Sequence, residues 1–285
     1  MPLLADGRRL HLQQGPIDLI LEAEGEPTAI TAAYRRAEAA FPAILPSLVA
    51  ELTELRQPLG SGLPTFQSPI ARAMTAACWP YRQGFITPMA AVAGAVADHM
   101  LAVLLDQEGL NRAYVNNGGD IALHLTPGAS FTVGVAADPR RGDLFGRMTI
   151  DASHPARGIA TSGWRGRSFS FGIADAVTIL ATSAATADAA ASIVANAVTA
   201  DHPAIQRAPA SSEQPDSDLG DQLITVSVGA LPASVITLAL NRGADMAENL
   251  LRAGQIFGAV LILGAELRVV GATGVIETKR EEIAS

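Results

Sequence analysis

Cysteine and lysine are nearly absent: the 285 residues contain one of the first, Cys78, and one of the second, Lys279. A single cysteine excludes an intrachain disulfide, and with it a secreted framework held by staples. Cys78 itself reads as a small buried hydrophobe. One lysine leaves little scope for Schiff-base catalysis, whereas arginine supplies a rigid donor fork for phosphate or carboxylate. Positive charge is also outweighed, the formal net charge being -8, which argues against nucleic-acid partners. No apolar run is long enough to span a bilayer. The nearest, GFITPMAAVAGAVADHMLAVLL from Gly84, is interrupted by Asp98 and His99 and reads as a buried helix. MPLLADGRRLHL at the start has no apolar core of signal-peptide length, so a cytoplasmic protein without membrane partners is expected.

A chain of this size can bury a large core. We expect one domain, or two intimately packed halves, over residues 1–275, with an exposed tail over 276–285. Ile17 to Leu21 resembles a short strand. From Pro27 the spacing is helical, with an interruption at Pro42 or Pro46. SPIARAMTAACW forms a second helix and residues 88–105 a third. NRAYVNNGGDIALHL then switches to short apolar stretches around an Asn/Gly turn, FTVGVAA is a strand, and DPRRGD a turn. GIATSGWRGRSFSFG is a loop or short strand, DAVTILATS a strand, and ATADAAASIVANAV a helix. HPAIQRAPASSEQPDSDLGD, beginning at His202, is the most linker-like segment. Beyond it QLITVSVG, SVITLAL, AVLILG and ELRVVG read as strands, with a short helix at ADMAENLLRAG. The fold class expected is α+β with doubled helix and sheet elements around a central cleft; a continuous parallel sheet is the alternative.

Three clusters carry candidate chemistry. Asn116, Asn117, Gly118, Gly119 and Asp120 make a turn in which glycines permit close ligand approach and the polar residues orient donors and acceptors. Thr161, Ser162 and Gly163, followed by Arg165 and Arg167, combine free backbone amides with two guanidiniums, a pattern suited to an anion such as pyrophosphate. Asp188 and Ser192 lie four residues apart on a helix, so a carboxylate and a hydroxyl share a face and can serve a hard cation. Each cluster also has a plain structural reading, as turn, ordered loop or helix cap. Asp175, ahead of a strand, can orient a hydroxyl, bind a metal or end a loop. The histidines show no zinc spacing, and Ser162-Gly163 lacks a nucleophile elbow. Asp245 and Glu248 are too common a pair to indicate a metal. Trp79, Trp164 and the tyrosines offer stacking surfaces without specifying a ring.

Taken together, VNNGGDIAL at 115–123, GIATSGWRGRS at 158–168, GIADAVTILATSAATADAAAS at 172–192 and IVANAV at 193–198 resemble the ApbE-like superfamily. The resemblance is to its shorter branch, and PMAAVAGAVAD at 88–98 and DLGDQLITVSVG at 218–229 extend it over most of the chain. ApbE proteins proper are FAD-dependent, Mg²⁺-requiring FMN transferases that cleave FAD at its pyrophosphate, attach FMN to a protein threonine and release AMP. The resemblance implies FAD and Mg²⁺, a flavin or other small anionic substrate and a protein acceptor. It places metal ligation at Asp188 and Ser192 and a cofactor-side turn at Asn117 to Asp120. The family's His-x-x-Asp-Pro-x-Thr-Gly segment is not intact; SFSFGIAD at 168–175 stands there, which makes Ser170 and Asp175 the catalytic candidates. The expected function is thus an ApbE-like flavin or nucleotide-phosphate enzyme. A transferase for a small anionic metabolite and a noncatalytic flavin- or nucleotide-binding protein stay open, as does a homodimer through Ala/Gly-rich helices.

Overall fold

In the computed structural model, which describes residues 2–138, 143–271 and 276–278, strands and helices follow the polar–apolar rhythm of the chain closely. They run β1 (Leu10–Gln14), β2 (Ile17–Gly25), α1 (Pro27–Ala40), α2 (Ile44–Val49), α3 (Leu52–Leu55), α4 (Pro69–Cys78), α5 (Val92–Leu104), β3 (Leu110–Asn117) and β4 (Asp120–Leu125). Next come β5 (Ser130–Asp138), β6 (Asp143–Asp151), β7 (Gly158–Ser162), β8 (Ala176–Ala181), α6 (Ala184–Ala197), β9 (Ile205–Pro209) and α7 (Ala210–Glu213). The series closes with β10 (Leu223–Val228), α8 (Ala233–Arg252), β11 (Gly258–Leu263), β12 (Glu266–Gly271) and β13 (Ile276–Thr278).

The chain divides into two compact units. The first comprises Met1–Ser130, Asp151–Ala160 and Ala181–Ala189. Its strands lie in the order β1-β2-β3-β4-β7 and pair antiparallel. Ile17, Leu19, Leu21 and Ala23 alternate into the core along β2, the period-2 pattern of a half-buried strand. Helix α5 covers β3 and β4, burying Gly94, Ala95, Val96, Ala97, Met100, Leu101 and Leu104. Small residues let it lie close to its neighbours, and at Gly94 the approach is extreme: a Cβ there would sit 2.3 Å from the Ala184 carbonyl oxygen.

The second unit comprises Phe131–Ile150, Thr161–Leu180 and Ala190–Ser285. Here β8, β11 and β12 form an antiparallel run covered by α8. β9 pairs with β10, and β13 with β6. The residues expected to form a tail therefore begin with a strand; residues 279–285 and the tip of the expected DPRRGD turn, 139–142, lie outside the described residues.

Every pairing with a defined register is antiparallel, which answers the parallel alternative and gives the α+β class. Two local readings are corrected. SVITLAL is not a strand: it is the first half of the twenty-residue helix α8. Its β-branched residues suggested a sheet, but Ala239, Leu240, Gly243, Ala247 and Leu250 are buried at helical spacing across both halves, and amphipathic packing prevails over local propensity. The linker-like segment after His202 contains β9 and α7, because Ile205–Pro209 finds a partner in β10 that prolines and serines could not reveal.

Candidate functional site

The site in the first unit starts from a two-residue hairpin turn. β3 and β4 pair up to Asn117↔Asp120, leaving Gly118 and Gly119 as the turn with φ of 63° and 116°. Positive φ at both central positions is what a tight hairpin turn requires and what glycine supplies. Asn116 locks the turn, its Oδ1 accepting from the Gly119 amide at 2.8 Å. Directly opposed residues share a face of the sheet, so Asn117 and Asp120 point to the same side, and both are buried. Asn117 donates from Nδ2 to the Ala93 carbonyl at 3.0 Å, tying the turn to the first turn of α5.

Asp188 completes the arrangement from α6. Its Oδ2 accepts from the Gly94 amide at 3.0 Å, the Ala93 amide also donates to it, and it shares a side-chain hydrogen bond with Asp120. Although part of the residue remains accessible, its carboxyl group is closely enclosed. Burial first, then the Asp120 charge, push that carboxyl well above the ordinary carboxylate range, against the two amides that lower it. Two carboxyl groups so close cannot both ionise without a proton or a cation between them. Cys78 lies nearby and is buried, its thiol raised by desolvation and then by Asp188, so it is protonated and unreactive.

Among the described residues no three His, Cys, Asp or Glu side chains come together as a metal cluster. Magnesium is commonly held by one or two carboxylates, the rest of its shell coming from water and substrate phosphates. The oxygen-only pair Asp120 and Asp188 is of the kind that a hard cation takes. The side chain that meets Asp188 is Asp120, expected only as part of a cofactor turn. Ser192 follows one helical turn later on α6 with part of its surface accessible.

Asp98 was visible in the sequence only as a charge interrupting an apolar run. It accepts from the Ala184 and Ala185 amides, both at 2.9 Å, and so caps α6 from a different helix. Ser183 caps it locally, accepting from the Thr186 amide at 3.2 Å. A charge among alanines and valines on a buried helix is the signal that could have found it, since such a group needs partners. We expect Asp98→Ala to cost about 1–2 kcal/mol, the range for a lost N-cap. Burial raises the Asp98 carboxyl above its ordinary 3.8. A raised folded value means that the stabilisation is full below the unfolded value and is lost as pH rises through the folded one. The gap between wild type and variant in urea unfolding should therefore narrow as pH is raised from below 3.8 towards neutrality.

In the second unit the Thr161 and Thr178 hydroxyls meet at 2.8 Å, and Ser162 ends β7 half-buried. Arg167 is exposed. Ser170 is buried, donating to Asn196 Oδ1 at 3.1 Å and accepting from the Gly172 amide at 3.2 Å. Asn196 Oδ1 also accepts from the Phe171 amide, so this hydroxyl braces a loop onto α6. Asp175 is engaged at both oxygens by Trp164, Arg165 and the Gly264 amide. His11 pairs with Asp18, and the His154 and His202 rings accept from backbone amides two residues on. No helix among the described residues is long and apolar enough to cross a membrane.

A model of the AbpE bacteria family matches residues 1–272, and the chain belongs to that family. Among curated relatives it is similar to a UPF0280 protein of Methanopyrus kandleri, 32% identical over 59% of this chain and 68% of that one. It is also similar to a UPF0280 protein of Methanococcus vannielii, 40% identical over 39% of this chain and 45% of that one. Among solved structures it resembles the flavin transferase ApbE from Vibrio cholerae, with TM-score 0.50 and 14% identity over 93% of this chain and 97% of that one. Identity that low shows a shared fold and no more.

Proposed function

We propose that this protein is a magnesium-dependent transferase that moves FMN from FAD to a hydroxyl group of an acceptor protein and releases AMP. The observation that carries the reading is the enclosed Asp120–Asp188 pair, held by the Asn117 turn and the Gly94 amide. An acid pair of this kind has little structural merit, since burying carboxyl groups costs free energy that apolar side chains would not. It is suited to a divalent cation whose remaining ligands arrive with the substrate. When bound there, Mg²⁺ would offset the charge developing on the scissile phosphates.

Asp188 and Asp120 would hold the ion. The Gly94 and Ala93 amides keep Asp188 in place before substrate arrives, so little reorganisation is needed. In the reaction the acceptor oxygen bonds to the flavin-side phosphorus while the pyrophosphate P–O bond breaks. The hydroxyl gives up its proton to solvent, and AMP leaves with the electron pair.

Incubating the protein with FAD, and with water as surrogate acceptor, tests the reading by chromatography of products. FMN and AMP in equal amounts with Mg²⁺, and none with EDTA, would support it. Intact FAD after prolonged incubation with folded, Mg²⁺-loaded protein would overturn it.

A further inference from the structure

Asp175 is nearly enclosed, its side chain 11% exposed, yet it does not stand free as a proton-transfer group would. Oδ1 accepts from the Trp164 indole Nε1 at 3.0 Å and from Arg165 Nε at 2.5 Å, while Oδ2 accepts from the Gly264 amide at 2.6 Å. The backbone is fixed as well: Trp164 N donates to Ala174 O at 3.0 Å, and Asp175 N to Ile262 O at 2.9 Å. Gly163, with φ of 153°, lets the two segments meet, since a Cβ there would lie 2.6 Å from the Asp175 carbonyl oxygen. The result is a guanidinium stacked on an indole, 4.6 Å from carbon to ring centroid. Trp164 is half-buried and the Arg165 side chain is 40% exposed. Among the described residues Arg165 uses only Nε, leaving both terminal nitrogens without a protein partner.

An exposed Arg–Trp pair ordinarily loses conformational freedom when a ligand orders it. Here a buried carboxylate has already fixed both side chains. Flat surfaces of this composition take planar rings by stacking, and the unused nitrogens can hold a phosphate oxygen in bidentate fashion. We propose that Trp164 and Arg165 form a preset platform for the heteroaromatic ring and phosphate of a nucleotide or flavin phosphate, with Asp175 as its positioning residue. The kind of ring rests on the transferase reading; the platform does not.

Equilibrium dialysis of the full chain against FMN, AMP, riboflavin, adenosine and ribose 5-phosphate tests this. FMN or AMP should bind at least tenfold more tightly than ribose 5-phosphate, the better of the two identifying the ring. Trp164→Leu should weaken that ligand by about tenfold or more, the scale of one lost stacking contact, and Trp164→Phe should restore most of the loss. Arg165→Met should weaken the phosphate ester while leaving its parent nucleoside or riboflavin within twofold. Asp175→Asn should weaken binding in the wild-type background and add nothing to the Trp164→Leu/Arg165→Met double variant, a coupling that general destabilisation would not produce. The platform is overturned if neither FMN nor AMP exceeds ribose 5-phosphate, or if Trp164→Leu binds within twofold of wild type while melting normally. Ring binding without AMP release from FAD would keep the platform and sink the transferase reading. AMP release from FAD by a protein that holds neither FMN nor AMP more tightly than ribose 5-phosphate would do the reverse.

Discussion

Asp188→Asn should lower Mg²⁺-dependent AMP release from FAD by about 100-fold or more, the scale on which loss of one preorganised electrostatic group is felt at a reacting centre. The substitution is nearly isosteric, and its carbonyl oxygen can still accept from the Gly94 amide that Asp188 now engages. What it removes is the second negative charge beside Asp120. Without metal, the variant should melt at or above the wild-type temperature, because a buried carboxyl that must take up a proton beside Asp120 has been replaced by a neutral amide. With Mg²⁺ the order should reverse. An ion that binds only the folded wild type raises its stability by mass action, and the variant should show almost no shift. Thermal melts with and without Mg²⁺, beside the product assay, measure both. Equal shifts in the two proteins would remove Asp188 from the metal site.

Gly94→Ala should destabilise the protein by about 3 kcal/mol, at the upper end of overpacking costs. The sign is the informative part, since alanine in a helix interior normally exceeds glycine by about 1 kcal/mol. On α5 that gain is overwhelmed, because the new methyl would lie 2.3 Å from the Ala184 carbonyl oxygen and 2.7 Å from the Ala185 nitrogen. These are backbone atoms of the first turn of α6, which Asp98 already fixes, and they cannot rotate aside as a side chain would. Gly60→Ala is the control: nothing lies within 4 Å of its added Cβ, so its effect should stay within about 0.5 kcal/mol. Urea unfolding of both variants gives the comparison, and a Gly94→Ala protein as stable as wild type would mean that the two helices can separate without cost.

Periodicity made much of the fold legible. α1 ends at Ala40, just before the short 3-10 turn Phe41–Ala43 that contains Pro42, α4 starts at Pro69, and the glycine pair between β3 and β4 does what its sequence announces. SVITLAL failed because a short, mostly apolar and partly β-branched run satisfies a strand as well as a helix. Only the alanine and glycine spacing further along α8 decides between them. At the site, residue types could nominate Asp188 and the Asn117–Asp120 turn separately. Their meeting depends on packing α5 between them, and no local pattern records which carboxylate will face which. Asp98 was hidden for the same reason, its partners being backbone amides nearly a hundred residues away. Trp164 offers the sequence only a stacking surface, because stacking requires a neighbour held in place, and the carboxylate that holds it reads from the sequence as a catalytic candidate.

The β3–β4 turn also orders events in time. Asn117 and Asp120 are brought face to face by a hairpin, which closes over two residues at little entropic cost, whereas Asp188 must be delivered by a helix far along the chain. Distant contacts pay for loop closure before they are rewarded. Half of the acid pair can thus be in place early, but the pair itself exists only once α6 has docked. A nascent or partly folded chain presents a lone aspartate at a turn tip, with no second carboxylate to recruit a divalent ion. On the proposed reading, a divalent ion that needs both carboxylates would find them together only once α6 has docked.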